Sequence, residues 1–421
     1  MSIRGALYVS SRIFSRNRIH GHPLFGAALG IALSLIPLVT VDHVAAGMVE
    51  GIIARYRETS SFHFQAYSWQ GVSGENFETL SADISNLDCV SAAWTERQGF
   101  ALARASGRRT GLTVRAVPPD LTQIDPVFAG YIEFDSGSWD LSSDSCILLG
   151  REAARELGVK TGETVRLLTA RKIKDKYIPK VSRFTVKGIF SSGYQDLDKN
   201  WAFISLSTGW KILPDESSRT FIGGKFISPE TDLDINTAAV AGVLPDGWVV
   251  YNWKDLNRFL LKNLQSTKEL LLFIMALIII VAVVNVVTSL VMLVFERQRE
   301  IGILKCSGVS SESIILIFLF AGIIAAVSGI ILGLSGGLLV SRYINEIIHG
   351  IESVIDFIIA PSGRSIKLLN ENYYLQHIPS DLRWKETLYI GLATLFTSAA
   401  ASLYPAVKAA GLKPLEVLRK H

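Results

Sequence analysis

The sequence predicts an α-helical membrane protein with four transmembrane helices and a large α+β domain inserted between helices 1 and 2. Three observations carry this. Of 421 residues, 49% are hydrophobic and 19% charged, and mean hydropathy is +0.33, whereas soluble domains carry about a quarter charged residues. The apolar excess sits in four blocks, while residues 50–266 read as ordinary water-soluble sequence. Basic residues crowd beside the blocks. A purely soluble enzyme is excluded, and so is a protein lying wholly within the membrane. The net charge of +4 is too small for a nucleic-acid partner.

Segment 1–22 carries Arg4, Arg12, Arg16 and Arg18 and no acidic residue, and leads into the first block, 23–47. That block suits about 30 Å of hydrocarbon, which takes about 20 helical residues. It lacks the small-residue cleavage site of a signal peptide, so it reads as a retained helix. Asp42 and His43 bring its outer end to the interface. The second block, 268–295, is nearly unbroken from Leu270, with Asn285 its one strongly polar side chain there. The third is 313–343, and the fourth, 387–405, is the least apolar. Arg297, Arg299 and Lys305 mark the connection 296–312 as cytoplasmic. So do the N-terminal arginines, and Lys408, Lys413, Arg419 and Lys420 in the tail 406–421. The domain 48–267 and the loop 344–386 then lie outside. On span three, Ala321, Ala325, Gly329, Gly333 and Gly337 share one helix face. Such a stripe serves close packing within the bundle or against a second subunit, and both stay open.

The external domain alternates β-rich and helical stretches. Cys146–Leu149 reads as a strand, Arg151–Leu157 as a helix ended by Gly158, and Val165–Leu168 as the next strand after a turn at Thr161-Gly162. Phe184–Phe190 and Ala202–Ser205 are further strands. Between Leu168 and Phe184, 169–183 is a basic hairpin arm centred on Lys172, Ile173, Lys174, Lys176, Tyr177, Ile178 and Pro179, and its alternate lysines suit one face. Charged arms keep sheet edges from aggregating, and they also dock partners; the residues alone favour the solvated reading. Cys89, Cys146 and Cys306 are too few for a disulfide scaffold and lack metal-ligand spacing. Cys89 and Cys146 remain open to pairing or to standing free.

The chain carries no recognisable chemistry of its own. GRRTGLT at 107–113 is nearest to a phosphate loop and lacks its lysine. HExxH is absent, no GxSxG elbow joins a strand to a helix, and the seven histidines are scattered. No enzyme, cofactor or metal site is expected, so energy must come from a partner. After span two comes FERQREIGILKCSGVSSESI. Glu296, Arg297, Arg299 and Glu300 open it, Ile301, Gly302, Ile303, Leu304 and Lys305 follow, and Gly308 breaks it. Apolar residues beside charge suit a knob for a cytoplasmic groove, or an anchor at the membrane surface.

EREIGILK followed by Gly308 resembles the coupling-helix motif of the FtsX-like permease family, whose members include MacB, FtsX and the lipoprotein-releasing subunits LolC and LolE. Cys306 stands where alanine is usual. Tyr404-Pro405-Ala406, Ala409-Ala410, Pro414 and Leu418 resemble the family's ending of span four. The unit ILLGREAARELGVKTGETV with the arm after it, the N-terminal ALYVSSR, and YYLQHIPSDLRW at 373–384 are similar to the LolC/LolE branch, with Gln376 where Asp is common. The resemblance runs essentially the whole chain. It implies a MacB-like periplasmic domain on a multi-pass protein of the bacterial inner membrane. It implies a permease subunit of an ATP-driven ABC complex that extracts acylated lipoproteins and hands them to a periplasmic carrier for outer-membrane sorting. The partners implied are a LolD-like ATPase dimer, which binds ATP and Mg, and a second LolC/LolE-like permease, paralogous or identical. Triacylated lipoprotein cargo, a LolA-like periplasmic carrier and membrane lipids complete the set. The alternatives are a MacB-type efflux permease and an FtsX-type scaffold activating a cell-wall hydrolase.

On this resemblance Glu296, Arg299, Glu300, Ile301, Gly302, Leu304, Lys305 and Gly308 form the ATPase-coupling set, and the arm takes the place of the carrier-docking hook. An apolar cavity for acyl chains is expected between two permeases. Its walls would be Val41, Val44, Met48 and Ile52 on span one and its extension, and Leu271, Phe273 and Ile274 at the start of span two. Tyr373 and Tyr374 stand near its mouth by the resemblance.

Overall fold

In lipid a helix is the one open-chain structure that pairs its own backbone, so runs of about 20 apolar residues become helices. The computed structural model describes residues 23–69, 74–173, 176–359 and 383–412. Its first element is α1 (Pro23–Thr59). There follow β1 (Phe64–Ser68), α2 (Gly74–Ser85), β2 (Val90–Ala105), β3 (Arg108–Val117), α3 (Leu121–Ile124), α4 (Pro126–Gly130) and β4 (Glu133–Gly137). Next are β5 (Cys146–Gly150), α5 (Arg151–Leu157), β6 (Thr164–Ile173), β7 (Lys176–Ser191), α6 (Gln195–Asn200), β8 (Trp201–Ser205) and α7 (Leu206–Ile212). The domain ends with β9 (Ser218–Phe226), α8 (Leu233–Val243), β10 (Trp248–Asn252) and α9 (Trp253–Leu256). The remaining helices are α10 (Arg258–Glu296), α11 (Gln298–Cys306), α12 (Ser311–Arg342), α13 (Ile344–Ile359) and α14 (Trp384–Ala410). Helices α1, α10, α12 and α14 are each long and apolar enough to cross a membrane. The chain divides into two compact units, a helical one reaching Met48 and resuming at Leu264, and a domain over Val49–Asn263.

In the helical unit, the small-residue stripe of α12 packs against α1. A Cβ added at Gly333 would lie 2.7 Å from Leu35 Cβ, and one at Gly337 2.7 Å from Val39 Cβ. At Gly329 it would lie 2.7 Å from the Ala28 carbonyl oxygen. The stripe therefore closes a contact inside the chain. Gly322 of the same helix faces Ser402 of α14, and Asn285 of α10 sits beside Gly30 of α1. Ile31, Leu35, Val286, Leu290, Phe318 and Ala325 lie at the centre of this core.

Two features beyond the spans themselves have simple causes. The first helix continues past the span, through the extension expected at Met48 and Ile52, as far as Thr59, because MVEGIIARYR keeps helical composition. Part of 344–386 is helix rather than loop: α13 places the exposed Ile347, Ile351 and Val354 along one face.

The domain is built on a ten-stranded mixed sheet, ordered β10-β1-β9-β2-β3-β8-β5-β7-β4, with β6 paired to β2 and β7. The β3–β8 and β5–β7 pairs are parallel. Long β2 ties the sheet together, pairing with β3, β6 and β9. Its stretch Thr95-Glu96-Arg97 is buried on both faces. There Arg115 of β3 reaches Glu96 at 2.6 Å, with its guanidinium 4.3 Å from the Trp201 ring. The same arginine donates to the Thr59 carbonyl at 2.7 Å, holding the end of α1 in the domain. Lys225 adds ion pairs of 2.8 Å to Glu58 and to Asp125. Helix α5 ends at Gly158 in the left-handed conformation, φ +67. Cys89 and Cys146 are free thiols, which answers the pairing left open by the sequence.

Candidate functional site

Two exposed elements, the short helix α11 between two spans and the β6–β7 arm, carry the functional expectations. Helix α11 forms because Glu300 lies in its first turn and Lys305 in its last, each matching the helix dipole. Arg297 pairs with Glu300. The chain then turns at Gly308, whose φ of +84 favours glycine. Ser310 caps α12 by accepting from the Ser313 amide.

This helix has two unlike faces. Ile301 is 2% exposed in the bundle core, and Gly302 is buried with it. Lys305 donates to the carbonyls of Ala410 and Leu412, the latter at 2.9 Å, so it fastens α11 to the end of α14. Leu304 is half-buried. Facing outward are Glu296, Arg299, Glu300 and Gly308, with Ile303, 51% exposed. Ile301, placed in the contact set from sequence, is thus an anchor rather than a knob. Ile303, left out of that set, is the exposed apolar residue. The two stand about 200° apart on a helix of 3.6 residues per turn, so both cannot face one partner. The outer face offers acidic, basic and apolar groups together, which suits docking into a groove rather than catalysis.

The arm is an antiparallel ladder running from Thr164 opposite Thr185 to Ile173 opposite Lys176. Lys172 stands opposite Tyr177 and Ala170 opposite Pro179. Ile178 and Val181 are exposed apolar residues, and Pro179 is exposed. At the root, Lys180 donates to the Lys211 carbonyl at 2.7 Å. Lys174 lies outside the described residues.

Of the expected cavity walls, Val41, Phe273 and Ile274 are exposed, and Val44, Met48, Ile52 and Leu271 are half-buried. Tyr373 and Tyr374 lie outside the described residues. Around Phe273, helix α10 also exposes Leu270, Leu272 and Leu277, an apolar surface left uncovered among the described residues.

In the domain, the Asp198 carboxylate accepts from Ser191 Oγ at 2.7 Å and from the Ser192 amide and hydroxyl at 2.6 Å each. Burial pushes this carboxyl up from its ordinary value, against those hydrogen bonds. Its three partners are local and it holds a turn. Among the described residues no group of His, Cys, Asp and Glu is placed to hold a metal ion.

Comparison with known proteins adds the following. Residues 24–251, more than half the chain, match the MacB-like periplasmic core domain, and residues 272–414 match the FtsX-like permease C-terminal model. The chain is 27% identical over 394 residues to the lipoprotein-releasing system transmembrane protein LolC of Xylella fastidiosa (strain Temecula1), covering 93% of this chain and 92% of that one. It is 29% identical over 280 residues to LolE of Haemophilus influenzae, covering 65% and 64%. The periplasmic region of MacB from Actinobacillus actinomycetemcomitans superposes with a TM-score of 0.31 at 9% identity, over 49% of this chain and 95% of that one.

Proposed function

Because this chain belongs to the family of permeases that join a MacB-like periplasmic core domain to an FtsX-like permease C-terminal domain, we propose that it is the membrane subunit of an ABC system that releases lipoproteins. The observation that carries the reading is similarity to LolC along 93% of the chain, through both domains. Efflux and hydrolase-activating roles are less favoured. As an ABC permease it leaves ATP hydrolysis to a partner subunit, and it is a multi-pass membrane protein with a domain of periplasmic type.

The finer reading places it in the inner membrane, with a LolD-like ATPase dimer against α11 and a second LolC/LolE-like permease against the open face of α10. Acyl anchors are held in a bilayer by about 0.8 kcal/mol for each buried CH₂, so three chains amount to tens of kcal/mol. A partly apolar chamber lowers that barrier by replacing lipid contact with protein contact. The open apolar surface around Leu272 and Phe273 supplies one wall of it. Closure of the ATPases moves α11, the motion passes along α10, and cargo leaves toward a LolA-like carrier docked on the arm. Purification of the native complex in mild detergent, followed by mass spectrometry, tests this reading. An ATPase with a triacylated protein is expected; an ATPase with an exporter adaptor or a hydrolase, and no acylated protein, overturns it.

A further inference from the structure

A cluster of titratable groups at the outer ends of the spans takes no part in coupling, docking or the expected cavity. His43 of α1 is fully buried, and its Nε2 lies 2.9 Å from Thr387 Oγ1 of α14. The Thr387 hydroxyl donates its proton to the Arg383 carbonyl at 3.1 Å, so toward His43 it accepts. Nε2 therefore carries the imidazole proton, and Nδ1 is left as a bare acceptor. No hydrogen-bond partner reaches Nδ1 among the described residues.

Two carboxylates share this environment. Asp42, next to His43, lies within electrostatic reach of Glu386, Lys268 and Arg383. Glu386 uses one oxygen, Oε1, for Arg383 at 3.0 Å and for Lys268 at 4.0 Å. Its Oε2 is buried and has no partner among the described residues, and the same holds for Asp42 Oδ2. Three buried acceptors thus share one electrostatic neighbourhood without a donor among the described residues, at a cost that a polar ligand would relieve. A primary ammonium has three N–H donors and suits three acceptors. Lys268 is exposed beside them and supplies a cation for an attached anion. Trp384, at the start of α14, is exposed as an interfacial tryptophan would be.

We propose that the outer ends of α1 and α14 hold the headgroup of an aminophospholipid, its ammonium on Asp42, Glu386 and His43 Nδ1 and its phosphate against Lys268. The ligand is a bilayer lipid because the acceptors sit where the spans leave the membrane and an interfacial tryptophan flanks them. This site does not depend on the lipoprotein reading.

Native mass spectrometry of the full complex, stripped of lipid in detergent and titrated with palmitoyl-oleoyl lipids, tests it. Phosphatidylethanolamine should bind at least about tenfold more tightly than phosphatidylcholine or phosphatidylglycerol. N-methylation of the ethanolamine should lower affinity stepwise as donors are removed, a comparison that needs no altered protein. Asp42→Asn and Glu386→Gln should each bring phosphatidylethanolamine close to the phosphatidylcholine level. A lysine-containing peptide should not displace the lipid; if it does, the ammonium belongs to a polypeptide and the lipid assignment fails. Equal binding across the methylation series, or full selectivity in both variants, overturns the proposal.

Discussion

Ile301 and Ile303 lie two positions apart on α11, and the helix turns them to opposite sides, one into the bundle and the other to the surface. Their substitutions should separate folding from docking. Ile303→Asp is expected to abolish ATPase co-purification while the unfolding midpoint stays near wild type; unchanged co-purification would remove the outer face of α11 from the interface. Ile301→Asp should instead destabilise the bundle by about 3 kcal/mol or more, as a charge forced into a packed core does. Asp198 makes a second residue-scale prediction. Its carboxyl is raised by burial, so the folded state binds a proton more tightly than the unfolded one. Stability from this group is therefore highest at low pH, and it falls as pH rises from about 4, the ordinary carboxylate value, through the folded-state pKa. Thermal unfolding of the full chain in nanodiscs should show that slope, and Asp198→Asn should remove it. An unchanged slope in the variant would assign it to another group.

At the scale of elements, what could be read in the sequence followed from how strongly each element is determined locally. Four spans were legible because hydrophobic length alone decides them. The helix at Arg151 was legible too, since Gly158 marks its end. β2 was not: Thr95, Glu96 and Arg97 are buried together, so the alternation that identifies a half-exposed strand is missing. The outward role of Ile303 was hidden for a related reason, since the composition of α11 does not fix its rotation; burial of Ile301 does. The acceptor cluster at His43 was unreadable because its members come from α1 and α14, more than 300 positions apart in the chain. Two element-scale outcomes follow. Deleting residues 173–179 of the arm should block transfer of cargo to a LolA-like carrier and leave cargo bound to the complex. Normal transfer would return the arm to a solvated hairpin. On α12, Gly333→Leu should lower the unfolding midpoint of the permease in detergent, since even a Cβ there falls 2.7 Å from Leu35. An unaffected midpoint would mean that α1 can give way.

For the whole molecule, the proposed function requires that work done at α11 reach the domain. The helical unit ends at Met48 and resumes at Leu264, yet α1 continues to Thr59 and α10 begins at Arg258. Each boundary therefore falls inside a helix rather than in a loop. An intact helix transmits displacement along its axis, whereas a flexible linker would dissipate it. The domain ends of both helices are fastened. Thr59 and Glu58 are held by Arg115 and Lys225, and Asn257, one residue before α10, donates to Ser61 Oγ at 2.7 Å. On the proposed function, a stroke passing along α10 would reach the residues that hold α1. Three glycines inserted after Asn263 should interrupt this path without touching α11 or the arm. ATPase assembly and ATP hydrolysis should persist, while ATP-dependent release of cargo in proteoliposomes falls by about tenfold or more. Release at the wild-type rate would show that the domain is driven by another route, and loss of ATPase assembly would show that α10 also sets the position of α11.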